Sequence, residues 1–113
     1  MRIGNLEKEL GGDLRGGFVI DGLMEHRGLF PVVAPGKFQV RWVHLKKGET
    51  KSTPHANIDI RALVVLISGS HHVYFGEDRV ELADIGDYVY IEPEDLHSWE
   101  AKEDTLLLVI RWG

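Results

Sequence analysis

The sequence contains no cysteine, no long apolar run and no signal-like N-terminus. Without cysteine there is no disulfide framework, no thiolate metal site and no cysteine nucleophile, a composition that suits a reducing cytosol. The longest apolar runs, residues 62–67 and 106–110, fall far short of the ~18 residues that a membrane-spanning helix needs. The first ten residues, MRIGNLEKEL, carry charges where a signal peptide has its apolar stretch. We therefore expect a soluble, cytoplasmic protein that does not enter a membrane.

Positive charge is also scarce. The chain has 13 Lys and Arg against 18 Asp and Glu, a net charge of −5, and its longest basic cluster is Lys46-Lys47. Nucleic acids and anionic membrane surfaces attract proteins through clustered Lys and Arg, so neither is an expected partner. The motifs G-x-S-x-G and H-E-x-x-H and a glycine-rich phosphate loop are missing as well, which leaves the hydrolase, zincin and P-loop classes without support.

The chain divides into a glycine-rich lead-in and a strand-rich remainder. Its 113 residues are enough for one domain with a single core. Residues 1–36 contain two glycine pairs and two prolines, and within them the segment FVIDGLM predicts one edge strand. We expect these 36 residues to pack as lead-in strands on a barrel formed by residues 37–113.

Short β-prone segments dominate that second part. They are separated by turns rich in Gly, Asp and Pro at intervals of roughly 8 to 12 residues, which is typical of an all-β sandwich or barrel. HHVYF and DRVEL, joined through Gly76-Glu77-Asp78, predict a hairpin. The runs at 62–67 and 106–110 are continuously apolar, so we expect them to be buried on both faces. The segments are FQVRWVHL, RALVVLIS, HHVYF, DRVEL, DYVYIE and TLLLVIRW.

Two motifs in this region resemble those of the small single-domain cupins. GETKSTPHANIDIRALVVLISG, residues 48–69, fits the frame of the first cupin motif, with glycines at both ends and a leading histidine. GDYVYIEPEDLHSWEA, residues 86–101, fits the second, with its Gly-Asp pair, its proline-containing turn and its histidine. The resemblance covers roughly residues 38–112 and implies a cupin-type double-stranded β-helix, or jelly-roll barrel.

The resemblance also implies a metal site, in a degenerate form. Cupins usually place four ligands on one metal; here His55 and His97 match, but Asn57 stands where His is usual and Ala62 where Glu is usual. We expect a weak divalent site for Zn, Fe, Ni or Mn at the barrel mouth, at low occupancy, with the Asn57 amide as a weak third ligand. The alternative is that both histidines are structural or solvent-facing and that no metal binds.

Four further residues are candidates for the cavity wall: Arg41, Ala62, His71 and Trp99. Arg41 shares its strand parity with apolar residues that should face inward, unless it lies exposed at a sheet edge. His71 and His72 must point to opposite faces, and His71 is the better inward candidate, although the pair can also belong to an outer face. Trp99 follows His97 by two residues and would share its face, or else pack in the core.

These features predict a small-molecule-binding cupin and leave its activity open. One alternative is a metal-free isomerase or lyase in which the histidine pair works as acid and base, as the resemblance to cupin sugar isomerases suggests. Another is a sensor that binds a ligand without reacting. Aromatic residues at outward strand positions would form an apolar patch, which predicts a homodimer. They are Trp42, Tyr88, Tyr90 and Trp112.

Overall fold

The structure, a computed structural model, describes residues 1–11, 17–23, 28–30, 37–56 and 59–113. Within these ranges it contains one short helix and nine strands. They are α1 (Leu6–Leu10), β1 (Gly17–Asp21), β2 (Phe38–Leu45), β3 (Thr50–His55), β4 (Arg61–Ser68), β5 (His71–Phe75), β6 (Asp78–Leu82), β7 (Tyr88–Ile91), β8 (His97–Ala101) and β9 (Thr105–Trp112).

The strands form two antiparallel sheets. The larger has the order β1-β2-β9-β4-β7, and the smaller has the order β3-β8-β5-β6. Successive strands of the chain therefore alternate between the two sheets in several places, as in a jelly roll. The all-β fold predicted from the sequence, a cupin-type double-stranded β-helix, is confirmed.

The core lies between the sheets and comes from alternate residues of the strands. β4 and β9 run side by side, with Val64 opposite Val109 and Leu66 opposite Leu107. The β-branched residues that fill these strands suit a pleated, half-buried surface. The buried apolar residues are Val43, Leu45, Ala62, Val64, Leu66, Val73, Leu82, Val89, Ile91, Ala101 and Leu107.

One prediction about these strands is wrong. The continuous apolar runs in β4 and β9 suggested burial on both faces, but burial along β4 alternates between buried and half-buried positions. The outward side chains of the run, such as Leu63 and Val65, stay partly accessible because no described element of the chain covers this side of the sheet completely. Apolar content alone cannot distinguish a sheet face that is covered by the rest of the chain from one that is left accessible to a second molecule.

The turns between the strands contain the Gly and Asp residues that their conformations require. Gly69, between β4 and β5, has φ of 98°, and a Cβ atom there would lie 2.4 Å from the carbonyl oxygen of Asp104, so only glycine fits. The carboxylate of Asp87 accepts hydrogen bonds of 2.9 Å from the backbone N–H groups of Ala83 and Asp84. Such a contact from an Asp side chain to nearby backbone N–H groups stabilises the turn before β7. The predicted hairpin is β5–β6, with Phe75 opposite Asp78.

The N-terminal part of the chain adds an edge to the larger sheet. The predicted edge strand in FVIDGLM is β1, which pairs antiparallel with β2. Preceding it, α1 lies against the outer side of β2, where the Glu7 carboxylate accepts hydrogen bonds from Trp42 Nε1 at 2.7 Å and from His44 Nε2 at 2.9 Å. His44 therefore faces outward, as its strand parity predicts. None of the helices in the described residues is long and apolar enough to cross a membrane.

Candidate functional site

A cavity of about 870 Å³ lies between the two sheets. Its wall combines apolar residues of the core with polar and aromatic side chains from both sheets. The polar and aromatic side chains in the wall are Arg41, Glu49, Thr50, Lys51, His55, His71, His97, Trp99 and Arg111. This mixture of an apolar pocket with a few convergent polar groups is typical of a small-molecule site.

His55 and His97 meet in this wall. They are register partners at the ends of β3 and β8, and their ring centroids lie 4.2 Å apart with planes tilted by 51°. His97 is almost fully buried, whereas His55 is half-buried. Phe75 lies behind His97, with the two ring centroids 6.0 Å apart, and limits the positions that the imidazole can take. The two motifs found in the sequence are thus joined through their histidines.

The hydrogen bonds of the pair define which ring nitrogens are available. His97 Nδ1 lies 2.9 Å from the carbonyl oxygen of Asp95. Because a carbonyl only accepts, Nδ1 carries the hydrogen and Nε2 is left to exchange a proton. His55 Nδ1 is buried and has no hydrogen-bond partner among the described residues. His55 Nδ1 is therefore an unsatisfied nitrogen enclosed by the protein, while Nε2 of His97 is the nitrogen of its ring that does not contact the Asp95 carbonyl.

Burial, and then the charges around it, keep His55 neutral. Burial lowers the pKa of its imidazole, and the charges of His97, Lys51 and Arg111 lower it further. The His97 backbone has a smaller, opposing effect on this pKa. Since the ordinary histidine pKa is about 6.5, His55 is an unprotonated base at neutral pH.

A divalent metal does not fit the donors that the structure brings together. Catalytic zinc sites generally use three protein ligands, yet no three His, Cys, Asp or Glu side chains of the described residues are placed to share one ion. The same positive charges that disfavour protonation of His55 also disfavour a dication beside it. Asn57, the predicted third ligand, lies outside the described residues. The described side chains alone therefore do not supply a site for a catalytic metal.

His71 belongs to another part of the cavity. It is 3% exposed, and its ring lies 5.5 Å from that of Trp99. Its register partner is Ala101, four residues along β8 from His97, a separation of about 13 Å at the ordinary rise of a strand. Burial lowers the pKa of His71 to about 4, with a smaller contribution from His72. This histidine lines the cavity but cannot complete a site with His55 and His97.

The other sequence candidates also lie in the cavity wall. Arg41 is half-buried on β2, where it faces inward together with the core residues of its strand, and its guanidinium carbon lies 5.3 Å from the centroid of the Phe18 ring. Trp99 lines the wall from β8, and Ala62 from β4. These positions follow the alternation of inward and outward residues along each strand.

Arg111 is a wall residue that the sequence reasoning missed. It lies on β9 with Ala62 as its partner on one side and Gln39 on the other. Burial lowers its pKa, although a guanidinium stays charged under all ordinary conditions. The same parity argument that placed Arg41 inward was available here, because Arg111 follows the inward residues Leu107 and Val109 at steps of two.

Comparisons with known proteins agree on the fold. No family model matches the chain, and no curated protein matches it. Among solved structures, a conserved protein with a double-stranded beta-helix domain from Klebsiella pneumoniae superposes with a TM-score of 0.69 and 15% identity, covering 99% of this chain and 90% of that one. KdgF from Halomonas sp. gives a TM-score of 0.62 and 19% identity, covering 73% of this chain and 74% of that one.

A third similar structure is a sugar phosphate isomerase from a cupin superfamily, from Silicibacter pomeroyi. Its TM-score is 0.60 at 18% identity, and the match covers 71% of this chain but only 53% of that one. The chain thus spans about half the length of this neighbour. Identities this low carry the fold and not the activity. The comparisons therefore show the fold alone, a double-stranded β-helix like that of these solved structures.

Proposed function

We propose that the protein binds a small organic molecule in the barrel cavity and moves a proton on it with His55 and His97, as metal-free isomerases and lyases do. The observation that carries this proposal is the contact of the two imidazoles, 4.2 Å apart in the cavity wall. A histidine pair at this distance can serve both ends of one small substrate. A purely structural role would not explain why His55 Nδ1 has no hydrogen-bond partner among the described residues.

The two rings have different roles. His55 is the base, because burial and the neighbouring charges lower its pKa and keep the imidazole neutral. His97 is the acid, since the carbonyl of Asp95 fixes the hydrogen of Nδ1 and leaves Nε2 to give and receive the second proton. In the first half of a turnover His55 takes a proton from carbon while His97 gives one to oxygen. In the second half His55 returns its proton to the neighbouring carbon and His97 takes one from oxygen, so each ring regains its starting state. General acid–base catalysis of this kind contributes roughly 10²- to 10⁴-fold in rate.

One of the similar structures has a name that belongs to this class of activity. It is described as a sugar phosphate isomerase, and its superposition includes most of this chain. Interconversion of sugars proceeds by proton transfer between carbon and oxygen, which is chemistry that a histidine pair can supply without a metal.

Solvent exchange provides a test that does not require the natural substrate. The protein, pretreated with a chelator, is incubated in deuterium oxide with a panel of hexoses, hexose phosphates and hexuronates, and carbon-bound deuterium is followed by NMR. We expect incorporation into at least one compound, and a loss of at least about 100-fold in His55→Gln and His97→Gln. His44→Gln is the matched control, because His44 lies on the outer face of β2.

Two results would contradict the proposal. Exchange that survives in both cavity variants would remove the histidine pair from the chemistry. Ligand binding without exchange for any member of the panel would favour the sensor alternative, in which the cavity holds a molecule that it does not convert.

A further inference from the structure

The charged residues of the cavity wall are mainly basic. Among the described residues that line it, Arg41, Lys51 and Arg111 are cationic, and Glu49 is the one acid. The carboxylate of Glu49 accepts a hydrogen bond of 3.3 Å from the backbone N–H of Lys46, at the turn before β3. The whole chain has a net charge of −5, so a basic cavity is a local feature and not a consequence of composition.

The three cations approach the cavity from both sheets. Arg41 and Arg111 belong to β2 and β9 of the larger sheet, while Lys51 belongs to β3 of the smaller sheet, where it pairs with Trp99. A charged group at a surface is screened by water, but in a pocket with low-dielectric walls its field is concentrated. The arrangement therefore favours a negatively charged ligand over a neutral one.

Arg111 occupies the central position in this arrangement. Its register partner on β4 is Ala62, which also lines the cavity and has only a methyl side chain. An acidic residue at position 62 would place a negative charge on the strand next to Arg111. Arg111 is also close enough to His55 for its charge to act on the imidazole. An anion bound at Arg111 would thus have its neighbouring atoms beside the histidine pair.

We propose that the cavity recognises an organic anion, a carboxylate or phosphate carried on a small polyhydroxylated molecule, and that Arg111 is its main anchor, with Arg41 and Lys51 in support. This inference rests on the proposed function and names the class of its ligand. A guanidinium binds both anions through two parallel N–H···O contacts, which orients as well as attracts them. Arg111 is a binding and positioning residue and does not itself exchange protons.

Calorimetry with defined probes tests the inference. The probes are inorganic phosphate, glucose 6-phosphate, glucuronate and glucose, at constant ionic strength because the contacts are electrostatic. We expect at least one anionic sugar to bind about tenfold more tightly than glucose, which corresponds to one charge-assisted hydrogen bond or more. Preference for glucose 6-phosphate would identify a phosphorylated ligand, and preference for glucuronate a sugar acid.

Three variants and a control locate the anchor. Arg111→Met should weaken binding of the preferred anion at least about tenfold, and Arg111→Lys should weaken it less, because the charge remains but the paired contacts are lost. Ala62→Glu should also weaken it, because the new carboxylate would lie beside Arg111 and compete with the ligand. Arg79→Met is the matched control, since Arg79 is exposed on β6 and contacts Glu81. Circular dichroism confirms that each variant is folded.

The inference is wrong if glucose binds as tightly as the anions, if Arg111→Met binds like the parent protein, or if no anion binds up to about 10 mM. Its failure can be told apart from failure of the proposed function. Deuterium exchange into a neutral sugar, dependent on His55 and His97, would retain the acid–base chemistry while removing the anion. Tight anion binding without any deuterium exchange would retain the anionic ligand while removing the acid–base chemistry.

Discussion

His55 and His97 are register partners on β3 and β8, and their rings are in contact in the wall of the cavity. Each imidazole is therefore part of the electrostatic environment of the other. Burial lowers the pKa of His55 most, and the charge of His97 is the second cause. Removing one ring should change the titration of the other in a direction that the geometry defines.

We predict that His97→Gln raises the pKa of His55. The substitution removes a positive neighbour, so protonation of His55 becomes easier, but the pKa stays below its ordinary value of about 6.5 because burial remains. The measurement is an NMR titration of the His55 ring carbon-bound protons in the parent and in the variant. His44→Gln, on the outer face, should leave this titration unchanged. A fall in the pKa of His55 in the His97 variant would contradict the contact.

We also predict that His71 makes stability depend on pH. Its pKa is about 4 in the folded protein, against about 6.5 in the unfolded chain, so the unfolded state binds more protons between these values. The free energy of unfolding should therefore be greatest above pH ~6.5 and fall by about 3 kcal/mol as the pH drops through this window.

Urea unfolding at neutral pH and at about pH 4.5 measures this effect. In His71→Gln the loss of stability between the two pH values should be much smaller, because the titrating group is gone. His72→Gln is the neighbouring control on the opposite face, and most of the loss should remain in it, since His72 is the lesser cause of the shift. An unchanged pH dependence in His71→Gln would show that another group is responsible.

The sequence predicted the strands and the histidine pair because both follow from local rules. Turn residues bound each strand, and the alternation along β7 placed Val89 and Ile91 in the core with Tyr88 and Tyr90 outside. The same alternation rule also predicts that Arg111 faces inward. However, Arg111 follows a continuous apolar run, which suggests burial on both faces and hides the alternation. The distance between His71 and the histidine pair could not be predicted from the sequence, because it depends on the register between β5 and β8. Register comes from packing across the sheet and cannot be counted along one strand.

The metal predicted from the sequence remains a prediction that elemental analysis can test. Because the described donors do not form a group of three, we expect untagged protein to contain Zn, Fe, Ni or Mn at well below one equivalent. Dialysis against a chelator should leave both ligand binding and deuterium exchange unchanged. One full equivalent of a metal, lost together with activity on chelation and restored by its return, would overturn this view and would place Asn57 among the ligands to examine first.

The outer face of the larger sheet leads to a final prediction, a homodimer. Apart from Arg61, the outward residues of three adjacent strands, β7, β4 and β9, are apolar or aromatic, and Tyr90 stacks on Trp112 with ring centroids 6.0 Å apart and planes at 22°. Tyr88 is 64% exposed, and Tyr90 is 40% exposed. An apolar sheet face of this kind usually marks an interface, and a second copy can pack on it about a two-fold axis.

Light scattering coupled to size-exclusion chromatography measures the association state. We expect a dimer at about 50 µM, and a monomer for Tyr90→Glu at the same concentration, because a carboxylate buried in an apolar interface has no partner there. Arg79→Glu is the matched control: it changes the charge on an exposed residue of the smaller sheet, away from this face, and should remain a dimer. If the parent protein is monomeric at this concentration, the half-buried outer residues of β4 and β9 are simply the exposed side of a two-layer fold, and the alternating burial along β4 needs no partner to explain it.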